Sequence, residues 1–172
     1  DGYILTVNYI VLGAREITVS LYDRRQFPAR IVYQDYDTGL AIIKIPCSSL
    51  PTVPLGDSDD LRELQKTIIV ASISKHERRA MQGFITSLRC FDAYWEYLLD
   101  RAIITTTVNP GFGGGPLLTN LGLMVGTISL NLNTLREMTL AIPINLYHEI
   151  KEEALAGRPR SRSPRPWLGI YT

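Results

Sequence analysis

The 172-residue sequence predicts an all-β fold that ends in a single C-terminal helix. Three observations carry that prediction. Short apolar segments recur along the chain, several of them alternating with polar residues at the strand period of two. Clusters of Gly, Pro, Asn and Asp separate these segments, as the tight turns of a sandwich or barrel require. Residues 143–156 alone space their apolar side chains as a helix does.

The elements follow in order. Tyr3-Ile4-Leu5-Thr6 reads as the first strand. Residues 16–22 form the second, where Ile17, Val19 and Leu21 alternate with polar neighbours, so that one face is buried and the other wet. After a turn at Asp23-Arg24-Arg25 comes a strand over 27–34. Residues 40–45 are then continuously apolar through Ile43, which suits a strand buried on both faces. Cys47-Ser48-Ser49-Leu50-Pro51 and Pro54-Leu55-Gly56-Asp57 make a Pro-rich crossover between two halves of the β structure. The second half has strands at 67–71, 82–88 and 103–108, then a Gly-rich turn. Leu117-Leu118, a hairpin at Thr119-Asn120-Leu121-Gly122, and strands at 123–130 and 138–142 complete it. The helix over 143–156 places Ile144, Tyr147, Ile150 and Ala154 on one side and Lys151, Glu152 and Glu153 away from it. Gly157 sits where a helix commonly terminates.

Composition narrows the function. Hydrophobic residues make up 45% of the chain, enough for one domain with a real core, and 18 Lys plus Arg against 17 Asp plus Glu leave a net charge of +1. That balance argues against a dedicated nucleic-acid binder, which carries a strongly basic face. The sequence has no apolar run as long as the roughly 18 residues of a membrane-spanning helix. His76, His148, Cys47 and Cys90 include no pair spaced closely enough for a zinc site. The two cysteines suffice for one bridge and do not make a disulfide framework. Arg158, Arg160, Arg162 and Arg165, set among Pro and Ser in 157–166, read as an extended linker. The sequence opens at Asp1-Gly2-Tyr3 without an initiator Met and is expected to be a fragment.

Chemistry is concentrated in Pro110-Gly111-Phe112-Gly113-Gly114-Gly115-Pro116. Glycines let a backbone turn sharply and aim its N–H groups at an acceptor. A phosphate loop would add Lys-Ser/Thr and open a helix; this run has neither, so nucleotide binding is not expected.

Together with Gly2-Tyr3-Ile4-Leu5-Thr6, Leu40-Ala41-Ile42-Ile43-Lys44-Ile45, Leu55-Gly56-Asp57-Ser58-Asp59, Asn109-Pro110-Gly111, Gly114-Gly115-Pro116-Leu117-Leu118 and Leu140-Ala141-Ile142-Pro143-Ile144-Asn145, this run resembles the HtrA/Deg family of trypsin-fold serine proteases. The resemblance implies a trypsin-like double six-stranded β-barrel with a C-terminal helix, whose N-terminal strand is missing from this chain, leaving the first barrel with an open edge. It implies a protease-fold domain over 1–156, the linker over 157–166, and over 167–172 the start of a truncated PDZ-like domain at Trp167-Leu168-Gly169-Ile170.

It also implies where catalysis would sit. The general-base histidine would fall on Tyr9, the aspartate that orients it on Gly39, and the nucleophilic serine on Gly113. A serine hydroxyl needs an imidazole to take its proton, and the imidazole needs a carboxylate. A phenol titrating at about pH 10 cannot serve as that base, and glycine offers no side chain. Losing a triad member costs roughly ten-thousand- to a million-fold in turnover. The expected function is therefore that of a catalytically inactive pseudoprotease acting by peptide or protein binding, scaffolding or regulation. The alternative is an active serine endopeptidase with relocated catalytic residues, for which the sequence offers His76, His148 and scattered carboxylates.

Further expectations rest on the same resemblance. The N–H groups of Gly111 and Gly113 would form an oxyanion hole, and Thr127, Ile128 and Ser129 a peptide-binding edge, with Phe112 crowding the cleft. Loop 72–76 replaces a family Gly-Asn-Pro turn. Phe91, Tyr94, Trp95 and Tyr97 are expected to pack core and loops. The implied partners are unfolded or extended peptide segments, active relatives of the family and further copies of the chain in a trimer. No nucleic acid, metal or small-molecule cofactor is implied, and the implied location is extracytoplasmic, in the periplasm or cell envelope.

Overall fold

The structure, a computed structural model, describes residues 1–75, 77–92, 97–132 and 138–158. The apolar run at 40–45 sets the first layer. It forms β4 (Leu40–Lys44), which pairs on one side with β1 (Tyr3–Val7) and on the other with β3 (Gln26–Asp35). With β2 (Ile17–Ser20) the layer is a four-stranded antiparallel sheet of order β1-β4-β3-β2. Central β4 is buried on both faces, as expected. Leu40 and Ile42 face one apolar cluster and Ala41 and Ile43 another, the latter shared with Val11. This layer has four strands instead of six, and β1 and β2 are its open edges.

The second layer closes completely. Its strands are β5 (Lys66–Ser72), β6 (Arg78–Asp92), β7 (Leu98–Thr105), β8 (Pro116–Thr119), β9 (Met124–Leu132) and β10 (Met138–Pro143). They form a six-stranded barrel in the order β10-β7-β6-β5-β8-β9, filled by Ile69, Ile85, Ile103, Leu117 and Ile128. Closure removes the unpaired edges that would invite aggregation. The architecture is therefore mostly β, an open sheet and a closed ring followed by one long helix, as the sequence predicts.

Two strands depart from their expected bounds. β6 extends beyond 82–88 at both ends, because the exposed residues 78–81 still pair with β5 and two bulges carry the strand on to Asp92. β7 begins at Leu98 and ends before the expected 108. Past Thr105 the chain leaves the ladder, and the hydroxyls of Thr105 and Thr107 lie 3.3 Å apart, with Thr67 also 3.3 Å from Thr105, inside the barrel. A one-turn helix, α1 (Asn8–Val11), is too short to leave a periodic signature.

The layers meet at a seam. Val7, Leu40 and Ile42 from the first pack with Leu140 and Ile142 from the second, and α2 (Ile144–Leu155) adds Ile150 and Ala154. Fully burying one such aliphatic side chain is worth about 1.5–3 kcal/mol, so the helix clamps the two layers. The crossover is pinned as well: Arg101 donates to the carbonyls of Ser58 at 2.6 Å and Leu61 at 3.0 Å, and Gly56 N–H donates to Met124 O at 2.9 Å. Cys47 and Cys90 are both free. The PDZ-like start and all of the linker beyond Arg158 lie outside the described residues, as do His76, Tyr94 and Trp95.

Asp57 ties the crossover to α2. Its carboxylate accepts hydrogen bonds from Asn145 Nδ2 at 2.7 Å and Asp59 N–H at 2.8 Å, and these, the Asn145 bond foremost, hold it below the ordinary value of 3.8. A carboxylate depressed in the folded state supports folding above its ordinary pKa and loses that support as pH falls through its folded value. Asn145→Ala is expected to move the Asp57 midpoint up towards 3.8 in a carboxyl NMR titration; an unchanged midpoint would show that Asn145 is not the cause.

Candidate functional site

The residues singled out from the sequence converge at the seam, on the β9 side of α1. The turn of α1 is held by Asn8, whose N–H donates to Gly39 O at 2.7 Å and whose Oδ1 accepts from Gln34 Nε2 at 2.8 Å. That anchorage sends the side chain of Tyr9 across the seam, where its hydroxyl donates to Ser129 O at 2.9 Å.

Gly39 follows a turn that Asp35 closes on itself. Asp35 Oδ1 accepts from Asp37 N–H at 3.1 Å, Oδ2 accepts from the Thr38 hydroxyl at 2.8 Å, and Asp35 O accepts from Gly39 N–H at 2.9 Å. The turn leaves Gly39 at φ +76°, a conformation L side chains seldom adopt. The ring of Tyr97 lies directly over this glycine. A Cβ added there would overlap Tyr97 Cδ1 and come within 2.6 Å of Cε1. Tyr97, only 6% exposed, shares a 2.6 Å hydrogen bond with Ser129 Oγ. Two tyrosines thus meet on one serine, one at its carbonyl and one at its hydroxyl.

Gly113 completes the group. A Cβ at this position would overlap the Tyr9 hydroxyl. Positions 9, 39 and 113 are therefore brought together, and the space between them is filled by phenol rings instead of an imidazole, a carboxylate and a hydroxyl. The expected crowding comes from Tyr9; Phe112, 71% exposed, points into solvent.

The Gly-rich turn is held from below by Asn109. Its Nδ2 donates to the carbonyls of Gly111 at 3.1 Å and Phe112 at 3.2 Å, and its Oδ1 accepts the Gly111 N–H at 3.3 Å. Asn131 and Thr139 hold Asn109 in turn, through Asn131 Nδ2 to Asn109 O and Asn109 N–H to Thr139 Oγ1. One of the two N–H groups expected in an oxyanion hole is thus directed at an internal acceptor. That of Gly113 meets no acceptor among the described residues.

The residues of the expected peptide-binding edge are enclosed. Thr127 and Ile128 are fully buried and Ser129 is 3% exposed. Thr127 lies between Pro116 of β8 and Ile142 of β10. Both backbone groups of Ile128 are used, its O by Gly114 N–H at 2.7 Å and its N–H by Gly115 O at 2.8 Å. The glycine turn prolongs β8 along β9 and occupies the hydrogen bonds that an added strand would need. Tyr97 and Phe91 pack into the seam cluster, as expected of these aromatics; the approach of the Tyr97 ring to a glycine nearly sixty residues earlier in the chain leaves no mark in the sequence.

Of the candidate replacement bases, His148 is exposed on α2, with Nε2 3.3 Å from Gly56 O. No group of three or more His, Cys, Asp or Glu able to hold a metal occurs among the described residues.

Comparison with known proteins places this geometry. The family model of the trypsin-like peptidase domain matches residues 1–126. A probable periplasmic serine endoprotease DegP-like of Halomonas elongata is 32% identical over 99% of this chain and 36% of its own length. Its namesake in Pseudomonas fluorescens is 31% identical with the same coverage. Among solved structures, the HtrA-type protease AlgW with a decapeptide superposes with a TM-score of 0.81 at 28% identity, over 91% of this chain and 50% of that one. AlgW with a tripeptide gives 0.79 over 88% of this chain and 52% of that one. The chain spans about a third of the length of the curated relatives it matches.

Proposed function

We propose, since this chain belongs to the HtrA/DegP family of trypsin-like peptidase domains, that it serves there as a catalytically inactive member that binds polypeptide and acts by scaffolding or regulation. One observation carries the reading: the Tyr9 hydroxyl is bound to Ser129 O and occupies the space in which a side chain at position 113 would lie. With no nucleophile at 113, no imidazole at 9 and no carboxylate at 39, the groups that make an acyl-enzyme and hydrolyse it are lacking. Of the two carboxylates just before position 39, Asp35 is bound into its own turn, accepting from the N–H of the other, Asp37, and from the Thr38 hydroxyl. Relocated chemistry gains no support from His148, which meets a crossover carbonyl.

AlgW was solved with peptides and the DegP-like relatives are named periplasmic, which supports a periplasmic polypeptide binder. Further copies of the chain or active relatives are proposed as its assembly partners.

Incubation with reduced casein tests it, with cleavage followed by mass spectrometry and complex formation by size-exclusion chromatography. Intact casein that co-elutes with the protein is the expected result. Cleavage that Gly113→Ala abolishes would show that position 113 does take part in catalysis. Cleavage that persists through repurification and in that variant would favour relocated chemistry.

A further inference from the structure

The closed centre of the seam leaves an open cavity beside it. Its volume is about 260 Å³, and it is bounded by Leu5 and Ile43 from the first layer, by Val70 and Pro116 from the barrel, and by the Gly113–Gly115 backbone. Arg78, the first residue of β6, also lines it. Arg79, the next residue, is paired with Glu77 at 3.3 Å, whereas the Arg78 guanidinium has no acceptor among the described residues.

Two features of its surroundings restrict what can occupy this cavity. Beside the Gly113 backbone that lines it, the Tyr9 hydroxyl takes the space of a side chain and is itself bound to Ser129 O. A polypeptide cannot be held by strand addition to Ile128, whose N–H and C=O are both taken. What remains is a pocket largely apolar in its walls, with Arg78 as the one cation in its lining. Such a site is complementary to a group that ends there, apolar in its side chain and anionic at its tip. Guanidinium matches a carboxylate through two parallel N–H···O bonds, and burial of the adjoining side chain supplies the apolar share.

We infer that this cavity binds the free C-terminus of a partner polypeptide whose last residue is aliphatic, with the α-carboxylate on Arg78 and the terminal side chain between Leu5 and Val70. The inference deepens the binding reading above and rests on it: the pocket beside the glycine turn reads the end of a chain rather than its interior.

The test uses fluorescence anisotropy with the full chain and two labelled hexapeptides ending in Ala-Val, one a free acid and the other a C-terminal amide. The free acid is expected to bind about tenfold or more tighter than the amide, which corresponds to about 1.4 kcal/mol. Arg78→Gln, a change at an exposed position, is expected to bring the acid down to the level of the amide, while Arg78→Lys keeps part of the preference. Equal binding of acid and amide would overturn the inference, and so would acid binding unchanged in Arg78→Gln. Octanoate displacing the peptide at equal concentration would overturn it too, since the site would then recognise an amphipathic anion without a chain. Casein co-elution is measured in parallel to separate the two readings. A casein complex that Arg78→Gln leaves intact, combined with no acid preference, removes the terminus site and leaves polypeptide binding standing; no binding of casein or of either peptide removes both.

Discussion

Tyr9→His, Gly39→Asp and Gly113→Ser combined are expected to produce no measurable cleavage of reduced casein, and to lower stability by about 2–5 kcal/mol in urea denaturation. The three positions do converge, so the failure is not one of chain topology. It is one of space and backbone. Gly39 sits at φ +76°, where a side chain costs about 1–2 kcal/mol. The carboxylate written in at 39 would also have to enter the volume that the Tyr97 ring occupies, and overpacking a core costs about 1–3 kcal/mol. A displaced Asp cannot orient an imidazole at position 9, and the Gly111 N–H, turned to Asn109, supplies little to a tetrahedral oxyanion. Casein turnover restored by the triple variant alone would mean that Tyr97 yields readily and that the centre is only chemically, not sterically, lost.

Tyr97→Ala carries the second large effect, a loss of about 3–5 kcal/mol, because it removes a buried aromatic ring from the seam cluster. Tyr97→Phe keeps the ring and strands Ser129 Oγ, for about 1–2 kcal/mol. The informative measurement is the coupling with Gly39. In the parent chain Gly39→Ala meets both the left-handed backbone and the ring. In the Tyr97→Ala background only the backbone strain of about 1–2 kcal/mol remains. Costs that add without coupling would show that the ring is not what bars a side chain at position 39.

Much of the fold was legible in the residues. The apolar run at 40–45 announced a strand buried on both faces, and the alternation of Ile17, Val19 and Leu21 a half-buried one. Such patterns are legible because burial acts residue by residue at the strand period. β6 runs past its side-chain signal because residues 78–81 pair through the backbone while their side chains stay exposed on both faces, and without alternating burial there is no period to detect. α1 escaped for the opposite reason, being a single turn with no period to detect.

At the site, the sequence alone determined which functional groups are present: a phenol at 9, no side chain at 39 or 113, and a glycine-rich turn between strands. Those identities fix which groups these three positions can offer, since no packing turns a glycine into a nucleophile. Only the tertiary structure decided how the space around these positions is filled. It brought Tyr97 onto Gly39, joined Tyr9 and Tyr97 to Ser129, closed the β9 edge with Gly114 and Gly115, and left the cavity beside Arg78 open. These outcomes depend on contacts between residues tens of positions apart, and close packing of the seam, not local propensity, selects among them.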